Sequence, residues 1–198
     1  MNTLKAEKRD MSIKAKKLRR EGFVTGNLFG RELEDSIPLK FDKAEIEKLL
    51  KVENKGGQVM LEVAGETYDA LIKEVDYNPL KGYIDEIDFQ ALVSNEKVHS
   101  VAEIVLVNHD KLEAGVLQQH LEEISFRALP SALVDKIMVD VGDMKVGDVI
   151  KVKDLAIAQD KDVDLKTDLE AAVVSVAAVH VDPVLEAEEE AAAEEEAK

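Results

Sequence analysis

The stretch QVMLEVAGETYDALIKEV, residues 58–75, decides the fold of the first half of the chain. Its apolar residues Val59, Leu61 and Val63 alternate with polar or mixed positions, which is typical of a half-buried β-strand. The turn residues at 64–66 interrupt this alternation before a second β-rich run begins. The stretch therefore predicts a β-hairpin.

A third strand is predicted at YIDEIDF, residues 83–89, after a loop at residues 78–82. Alternation places its side chains on two faces: Ile84, Glu86 and Asp88 on one, and Tyr83, Asp85, Ile87 and Phe89 on the other. Because carboxylates occur along this strand beside apolar groups, we expect it to lie at a domain surface.

Two helices are predicted beside these strands. In FDKAEIEKLLK, residues 41–51, Asp42 and Glu45 form a pair like a capping box ahead of an apolar face. An earlier helix is predicted between Ser12 as its N-cap and Gly22 as its C′ residue. Around a narrow apolar stripe, this helix carries five cations: Lys14, Lys16, Lys17, Arg19 and Arg20.

The second half of the chain has a sequence pattern typical of an all-β domain. Short β-branched runs separated by turns are found at 100–107, 124–129, 136–141, 148–155 and 171–181. We therefore predict a mainly β (α+β) protein with domains at 1–92 and 93–182. The acidic segment 183–198 is predicted to be a disordered tail, because its low-complexity sequence buries too little apolar surface to offset its ordering entropy.

The charge of the chain is unevenly distributed. The 198 residues have a formal net charge of −16, which by itself argues against a nucleic-acid partner. Residues 1–20, however, hold eight basic and two acidic side chains, a net charge of +6, and the last sixteen residues have a net charge of −6. Such opposed ends are typical of a nucleic-acid-binding segment combined with an acidic tail.

The sequence excludes several classes of function. It holds no cysteine, its four histidines lack metal-ligand spacing, and the acids at 160, 162 and 164 lack the glycine and glutamate of a calcium loop. We find no phosphate loop and no nucleophile motif. We therefore expect no enzymatic activity, metal, cofactor or small-molecule substrate. An apolar run that could cross a membrane and the core of a signal peptide are also missing, so we expect a cytoplasmic protein without a membrane partner.

The remaining candidate is the basic helix together with GFVTGNLFGRE, residues 22–32, which we predict to be a glycine-rich loop. Lysine and arginine give salt-dependent contacts to phosphates, glycines let backbone amides approach phosphates, and an aromatic ring can stack on a base. The segment therefore favours RNA binding.

Four blocks, at residues 4–32, 71–89, 115–133 and 137–155, carry a family resemblance in their order and spacing. They resemble the bacterial large-subunit ribosomal protein numbered twenty-five in its long two-domain form, also called the CTC or general stress protein family. The resemblance implies a small β-barrel with helices that binds 5S rRNA in the central protuberance of the large ribosomal subunit. It also implies a β-rich second domain, with neighbouring ribosomal proteins as its partners, and an acidic tail.

The resemblance also implies which residues form the RNA site. By position they are Arg9, Lys14, Lys17, Arg19, Arg20, Phe29, Gly30, Asp76, Glu86 and Asp88. This sequence departs from the family pattern at Thr25, Phe29, Asp76 and Glu86, where the family usually has proline, tyrosine, glutamine and histidine.

Two of these departures place carboxylates on the expected RNA face, where they repel phosphates. An alternative therefore stays open: a stress-related member of the family with weakened RNA binding, which contacts proteins through its acidic second half. Residues 96–198 hold 10 basic and 24 acidic side chains, a net charge of −14.

Overall fold

The computed structural model describes residues 2–112 and 115–178. The predicted acidic tail at 183–198 and the end of the last predicted β-run lie outside the described residues. Within them, the predicted class is confirmed: the protein is mainly β, with a small N-terminal barrel followed by a second β-rich region.

The first region alternates strands with two short helices. Its elements are β1 (Asn2–Lys8), α1 (Ala15–Arg20), β2 (Phe23–Phe29), β3 (Ile37–Asp42), α2 (Lys43–Leu49), β4 (Gln58–Val63), β5 (Glu66–Asn78) and β6 (Tyr83–Ala91). The six strands close into a barrel in the order β1-β3-β2-β6-β5-β4. The β1–β4 and β2–β6 pairs are parallel and the others are antiparallel.

Alternate side chains of these strands fill the interior of the barrel. Leu28, Leu39, Leu61, Ile87 and Phe89 are fully buried there. Such a closed barrel leaves no free sheet edge.

The predicted hairpin and the predicted second helix are confirmed. Strands β4 and β5 pair from Val63 and Glu66 outward, so Ala64 and Gly65 form a two-residue turn with positive φ at both positions. Helix α2 begins after Asp42, whose carboxylate accepts a hydrogen bond from the Ala44 N–H at 2.8 Å.

The prediction for the first helix is partly wrong. Helix α1 begins at Ala15 with Lys14 as its N-cap, and Ser12 lies in a preceding turn in which its N–H donates to Asp10. The prediction of Gly22 as the C′ residue is confirmed, since Gly22 has φ +94° and its N–H donates to the Arg19 carbonyl.

The predicted glycine-rich loop is wrong over residues 23–29, which form strand β2 inside the barrel sheet. Gly26, which suggested a loop in the sequence, has a packing role in this strand. A Cβ at Gly26 would lie 1.9 Å from the Ile87 carbonyl oxygen, so only glycine lets β2 and β6 approach this closely.

The two predicted faces of β6 are also partly wrong. Ile84, Ile87 and Phe89 are all buried, although Ile84 was placed on the opposite face. The cause is a β-bulge: Tyr77 pairs with Ile84 and Asp76 pairs with Glu86, so Asp85 is an extra residue without a partner on β5. The bulge shifts the alternation by one residue.

The second region contains seven more strands. They are β7 (Val98–Val107), β8 (Val116–Gln119), β9 (Glu123–Ala128), β10 (Lys136–Asp140), β11 (Val149–Lys151), β12 (Val163–Leu165) and β13 (Ala172–Ala177). Strands β8 and β12 were not predicted, and the run predicted at 148–155 leaves the strand conformation after Lys151 for 3₁₀ turns. These segments are short, so their alternation covers too few residues to be recognised.

The strands of the second region form two sheets, in the orders β10-β7-β9-β12 and β11-β13-β8. Buried residues from both sheets, among them Ile124, Phe126, Val173 and Val174, make a hydrophobic core separate from that of the barrel. The location of the domain boundary at residue 92 stays a prediction.

Candidate nucleic-acid interface

Helix α1 presents a row of cations to solvent. Its Leu18 is buried, and the helix packs on strand β2 of the barrel. Lys14, Lys16, Lys17 and Arg20 are exposed. Lys17 forms a loose ion pair with Glu21 at 3.8 Å, and an exposed i,i+4 pair of this kind contributes little to stability. The exposed cations therefore remain able to exchange solvent for phosphate oxygens.

Arg19 behaves differently from its neighbours, because its guanidinium is held by the barrel. Its Nε donates to the Asp85 carbonyl at 2.9 Å and its Nη2 donates to the Thr25 hydroxyl at 3.3 Å. The side chain also lies 3.6 Å from the carboxylates of both Asp85 and Glu86 and is only 26% exposed. These contacts fix the orientation of α1 on β2 and β6.

The bulge residue Asp85 is the centre of this arrangement. Because the bulge leaves its carbonyl free of the β5–β6 ladder, that oxygen accepts from Arg19. Its carboxylate accepts from the Asn78 side-chain amide at 3.1 Å, across the end of β5. Asp85 and Thr25 were not among the predicted site residues, since neither the bulge nor its consequence is visible in the sequence pattern.

Three carboxylates lie next to one another on the outer face of β5 and β6. Asp76 is directly opposite Glu86, and Asp88 follows Glu86 on the same strand. Desolvation, followed by the charges of Asp88 and Asp76, raises the pKa of Glu86, while Arg19 and Arg9 act in the opposite direction. The pair with Arg19 therefore does not fully compensate the cost of the negative charge at Glu86.

Asp88 joins two strands of the barrel. Its Oδ1 accepts from the backbone N–H of Asn27 at 2.9 Å and from the Asn27 side chain at 3.1 Å. In the parallel β2–β6 pair this carboxylate satisfies a donor of β2. Asp88 is therefore held within the sheet and has an evident structural role.

Arg9 lies just after β1, and its charge acts on Glu86. Its Nη2 donates to the Ile13 carbonyl at 3.3 Å, and among the described residues its Nε is buried without a hydrogen-bond partner. A buried donor of this kind is costly unless it is satisfied, for instance by a ligand oxygen or a water.

Phe29 and Gly30 lie at the other end of β2. Phe29 is 36% exposed, and a Cβ at Gly30 would lie 2.8 Å from the Ala91 Cβ. Phe29 pairs with Gln90, four residues along β2 from the Thr25–Glu86 pair, or about 13 Å at the rise of a β-strand. The structure thus brings Arg9, Arg19 and the three acids together and places Phe29 apart from them.

The geometry defines a class of protein: a two-region β protein whose N-terminal barrel presents a basic helix beside a row of acids. No helix in the described part of the chain is long and apolar enough to cross a membrane. No group of three histidine or acidic side chains able to hold a metal ion is found in residues 2–112 and 115–178.

Comparison with known proteins gives the family. Residues 4–89 match the ribosomal L25p family, and residues 97–180 match the C-terminal domain of ribosomal protein TL5. The chain is 31% identical over 179 residues to the large ribosomal subunit protein bL25 of Thermoanaerobacter sp. (strain X514), covering 89% of this chain and 88% of that protein. It is 34% identical over 142 residues to bL25 of Geobacillus thermodenitrificans, covering 71% and 67%.

The chain therefore belongs to the ribosomal L25p family and has its long form, with the additional C-terminal domain. The resemblance found in the sequence is confirmed. A protein of this family is a structural constituent of the ribosome and not an enzyme.

Proposed function

We propose that this protein is a constituent of the large ribosomal subunit in the cytoplasm and binds 5S rRNA through the outer face of its N-terminal barrel. Family membership supports the ribosomal location. The observation that carries RNA binding is the exposed row Lys14, Lys16, Lys17 and Arg20, held on a fixed helix in a chain of net charge −16. Clustered cations of this kind make phosphate contacts.

The proposed site residues have different roles. Lys14, Lys17 and Arg20 contact phosphates, and Arg9 offers its buried donor to the RNA. Arg19 and Asp88 hold α1 and β2 in position through their contacts within the barrel. Phe29, with Gly30 behind it, offers an exposed ring for stacking. Asp76 and Glu86 border this surface and limit its affinity, because each carboxylate repels phosphate.

The test is a gel-shift titration of the full chain with 5S rRNA across a salt series. We expect the triple variant Lys14→Glu, Lys17→Glu, Arg20→Glu to bind at least about a hundredfold more weakly at physiological salt. We also expect the slope of log affinity against log salt to fall by about two to three. The matched control reverses three exposed lysines of the second region: Lys111→Glu, Lys145→Glu and Lys161→Glu. Equal binding by the site triple and the wild type would refute the proposal.

The facing acids Asp76 and Glu86 and the acidic second region favour a second candidate: a stress-related family member with weakened RNA binding that contacts proteins through that region. This candidate predicts no measurable complex with 5S rRNA at physiological salt. It also predicts loss of the protein when large subunits are washed. Recovery of one copy per washed subunit would count against it.

A further inference from the structure

The outer face of the second region's larger sheet lies against the barrel, and its charge changes along the strands: Glu103 pairs with Glu123 at one end, and His99 pairs with Arg127 toward the other. On that face, His99 of β7, Arg127 of β9 and Asp164 of β12 lie directly opposite one another. The next row holds Val101 and Ser125. Lys166 follows β12, and its N–H donates to the Ser125 carbonyl. The topology thus brings separated basic residues to one surface.

The barrel is in direct contact with this surface. The ammonium of Lys73, on β5, donates to the His99 carbonyl at 2.7 Å. A Cβ at Gly56 would lie 2.0 Å from the Val101 carbonyl oxygen, so the two backbones are in direct contact there. Between the two regions remains a cavity of about 350 Å³, lined by Lys55, Lys73, His99, Ser125 and Lys166 among others.

This cavity has an excess of positive charge. Its lining holds three lysines and a single acid, Glu74. The nearby Glu123 is paired with Lys55 at 3.6 Å, and Asp164 is paired with Lys97 at 2.9 Å. Among residues 2–112 and 115–178, no carboxylate lies within 4.0 Å of the ammonium groups of Lys73 and Lys166.

The surroundings of Lys73 disfavour its positive charge. Desolvation, followed by repulsion from the Lys55 ammonium, lowers the pKa of Lys73. A half-buried ammonium whose observed partner is a single carbonyl oxygen is stabilised when an anion enters, because the anion supplies the charge that the protein does not.

We propose that the junction cavity binds a phosphate group between Lys55, Lys73 and Lys166, with the Ser125 hydroxyl as an additional donor. This site is distinct from the surface of α1 and uses both regions of the chain, so its occupation ties them together. The phosphate can come from an RNA backbone or from free phosphate in solution, and both present the same oxyanion to the lysines.

Titration of the full-length protein with inorganic phosphate, followed by amide NMR shifts, tests the site. We expect saturable shifts at residues 73, 99, 125 and 166 in the wild type. In the double variant Lys73→Gln, Lys166→Gln we expect binding about a hundredfold weaker, because two charge-assisted hydrogen bonds are lost. The matched control is Lys145→Gln, Lys161→Gln. Absence of saturation at these amides, or equal binding by the double variant, overturns the proposal.

The single variant Lys166→Gln repeats the test if the double variant does not fold, since Lys166 is exposed and its loss leaves the Lys73 contact to His99 intact. It is expected to weaken phosphate binding severalfold, and unchanged binding counts against the site.

A competition experiment with 5S rRNA identifies the source of the phosphate. If an RNA phosphate enters the cavity, 5S rRNA displaces inorganic phosphate, and the double variant lowers the salt slope of RNA binding by about one to two. If the phosphate shifts persist in the RNA complex with an unchanged slope, the ligand is free phosphate. The α1 charge-reversal triple separates this site from the proposed function: it is expected to lose RNA and keep the phosphate shifts.

Discussion

Arg19 lies on the proposed binding face, but its hydrogen bonds are made within the protein. A guanidinium offers five N–H donors in a rigid fork, and here they meet the Asp85 carbonyl, the Thr25 hydroxyl and nearby carboxylates. Thr25 and Glu86 are two of the positions at which the sequence resemblance implies a departure from the family pattern. Both residues contact Arg19: the Thr25 hydroxyl accepts a hydrogen bond from it, whereas the Glu86 carboxylate, 3.6 Å away, gains an attraction that does not offset its desolvation.

Glu86 makes the stability of the barrel dependent on pH. Since its folded-state pKa is raised, the ionised carboxylate destabilises the fold above that pKa, and the cost vanishes once the group is protonated. We expect Glu86→Gln to raise the thermal midpoint of unfolding at pH 7. The gain should shrink as the pH falls through the raised pKa and vanish below the ordinary carboxyl pKa, where both the folded and the unfolded states are protonated. RNA affinity at pH 7 should rise severalfold, because one phosphate-repelling charge is removed.

Thermal unfolding at pH 7 and pH 4 checks this expectation, with the exposed Glu32→Gln as the matched control. A lower midpoint for Glu86→Gln at pH 7 would show that the attraction of Glu86 to Arg19 outweighs its desolvation and its repulsion by Asp76 and Asp88.

At the scale of elements, the sequence predicted the helix and the hairpin that neighbouring residues specify. Helix α2 has its cap at Asp42, and the β4–β5 hairpin has its turn at residues 64–65, so both could be identified from neighbouring residues alone. Strand β2 pairs with β6, about 60 residues away, and the Asp85 carbonyl accepts from Arg19, 66 residues away. No local pattern contains that information. For the same reason the cations of α1 were predicted, whereas the roles of Thr25 and Asp85 were not.

Gly26 gives the β2–β6 contact a measurable consequence. We expect Gly26→Ala to lower the free energy of unfolding by about 3 kcal/mol, because its Cβ collides with the Ile87 carbonyl at 1.9 Å and forces two paired backbones apart. Denaturant unfolding measures the loss. Gly57→Ala is the comparison and should cost less, since its Cβ would meet the movable Glu53 side chain at 2.9 Å and a backbone oxygen, that of Asn54, no closer than 3.0 Å. Equal losses would contradict the close approach of β2 and β6.

At the scale of the whole molecule, the charge and the fold divide the chain in the same way. Residues 1–95 have a net charge of −2, with their excess cations at α1, and residues 96–198 supply the other −14. The two regions also have separate hydrophobic cores. Their junction includes polar contacts, such as Gln58 to the Pro130 carbonyl at 3.0 Å and Asn54 to Glu103. Other contacts of this kind join Lys73 to the His99 carbonyl and Lys136 to the Val52 carbonyl, and each such bond contributes only about 0.5–1.5 kcal/mol, less than the packing of a buried side chain in either core.

We therefore expect the two cores to lose stability independently. Ile124 and Ile46 are both fully buried, one in each core. Ile124→Ala should lower the opening free energy of β7 and β9 amides by about 2–5 kcal/mol and leave β4 and β5 unchanged, with Ile46→Ala giving the reverse pattern. Native-state hydrogen exchange measures the protection of amides in both regions in one sample. If either variant lowers protection equally in both, the polar junction transmits stability, and the chain unfolds as one cooperative unit.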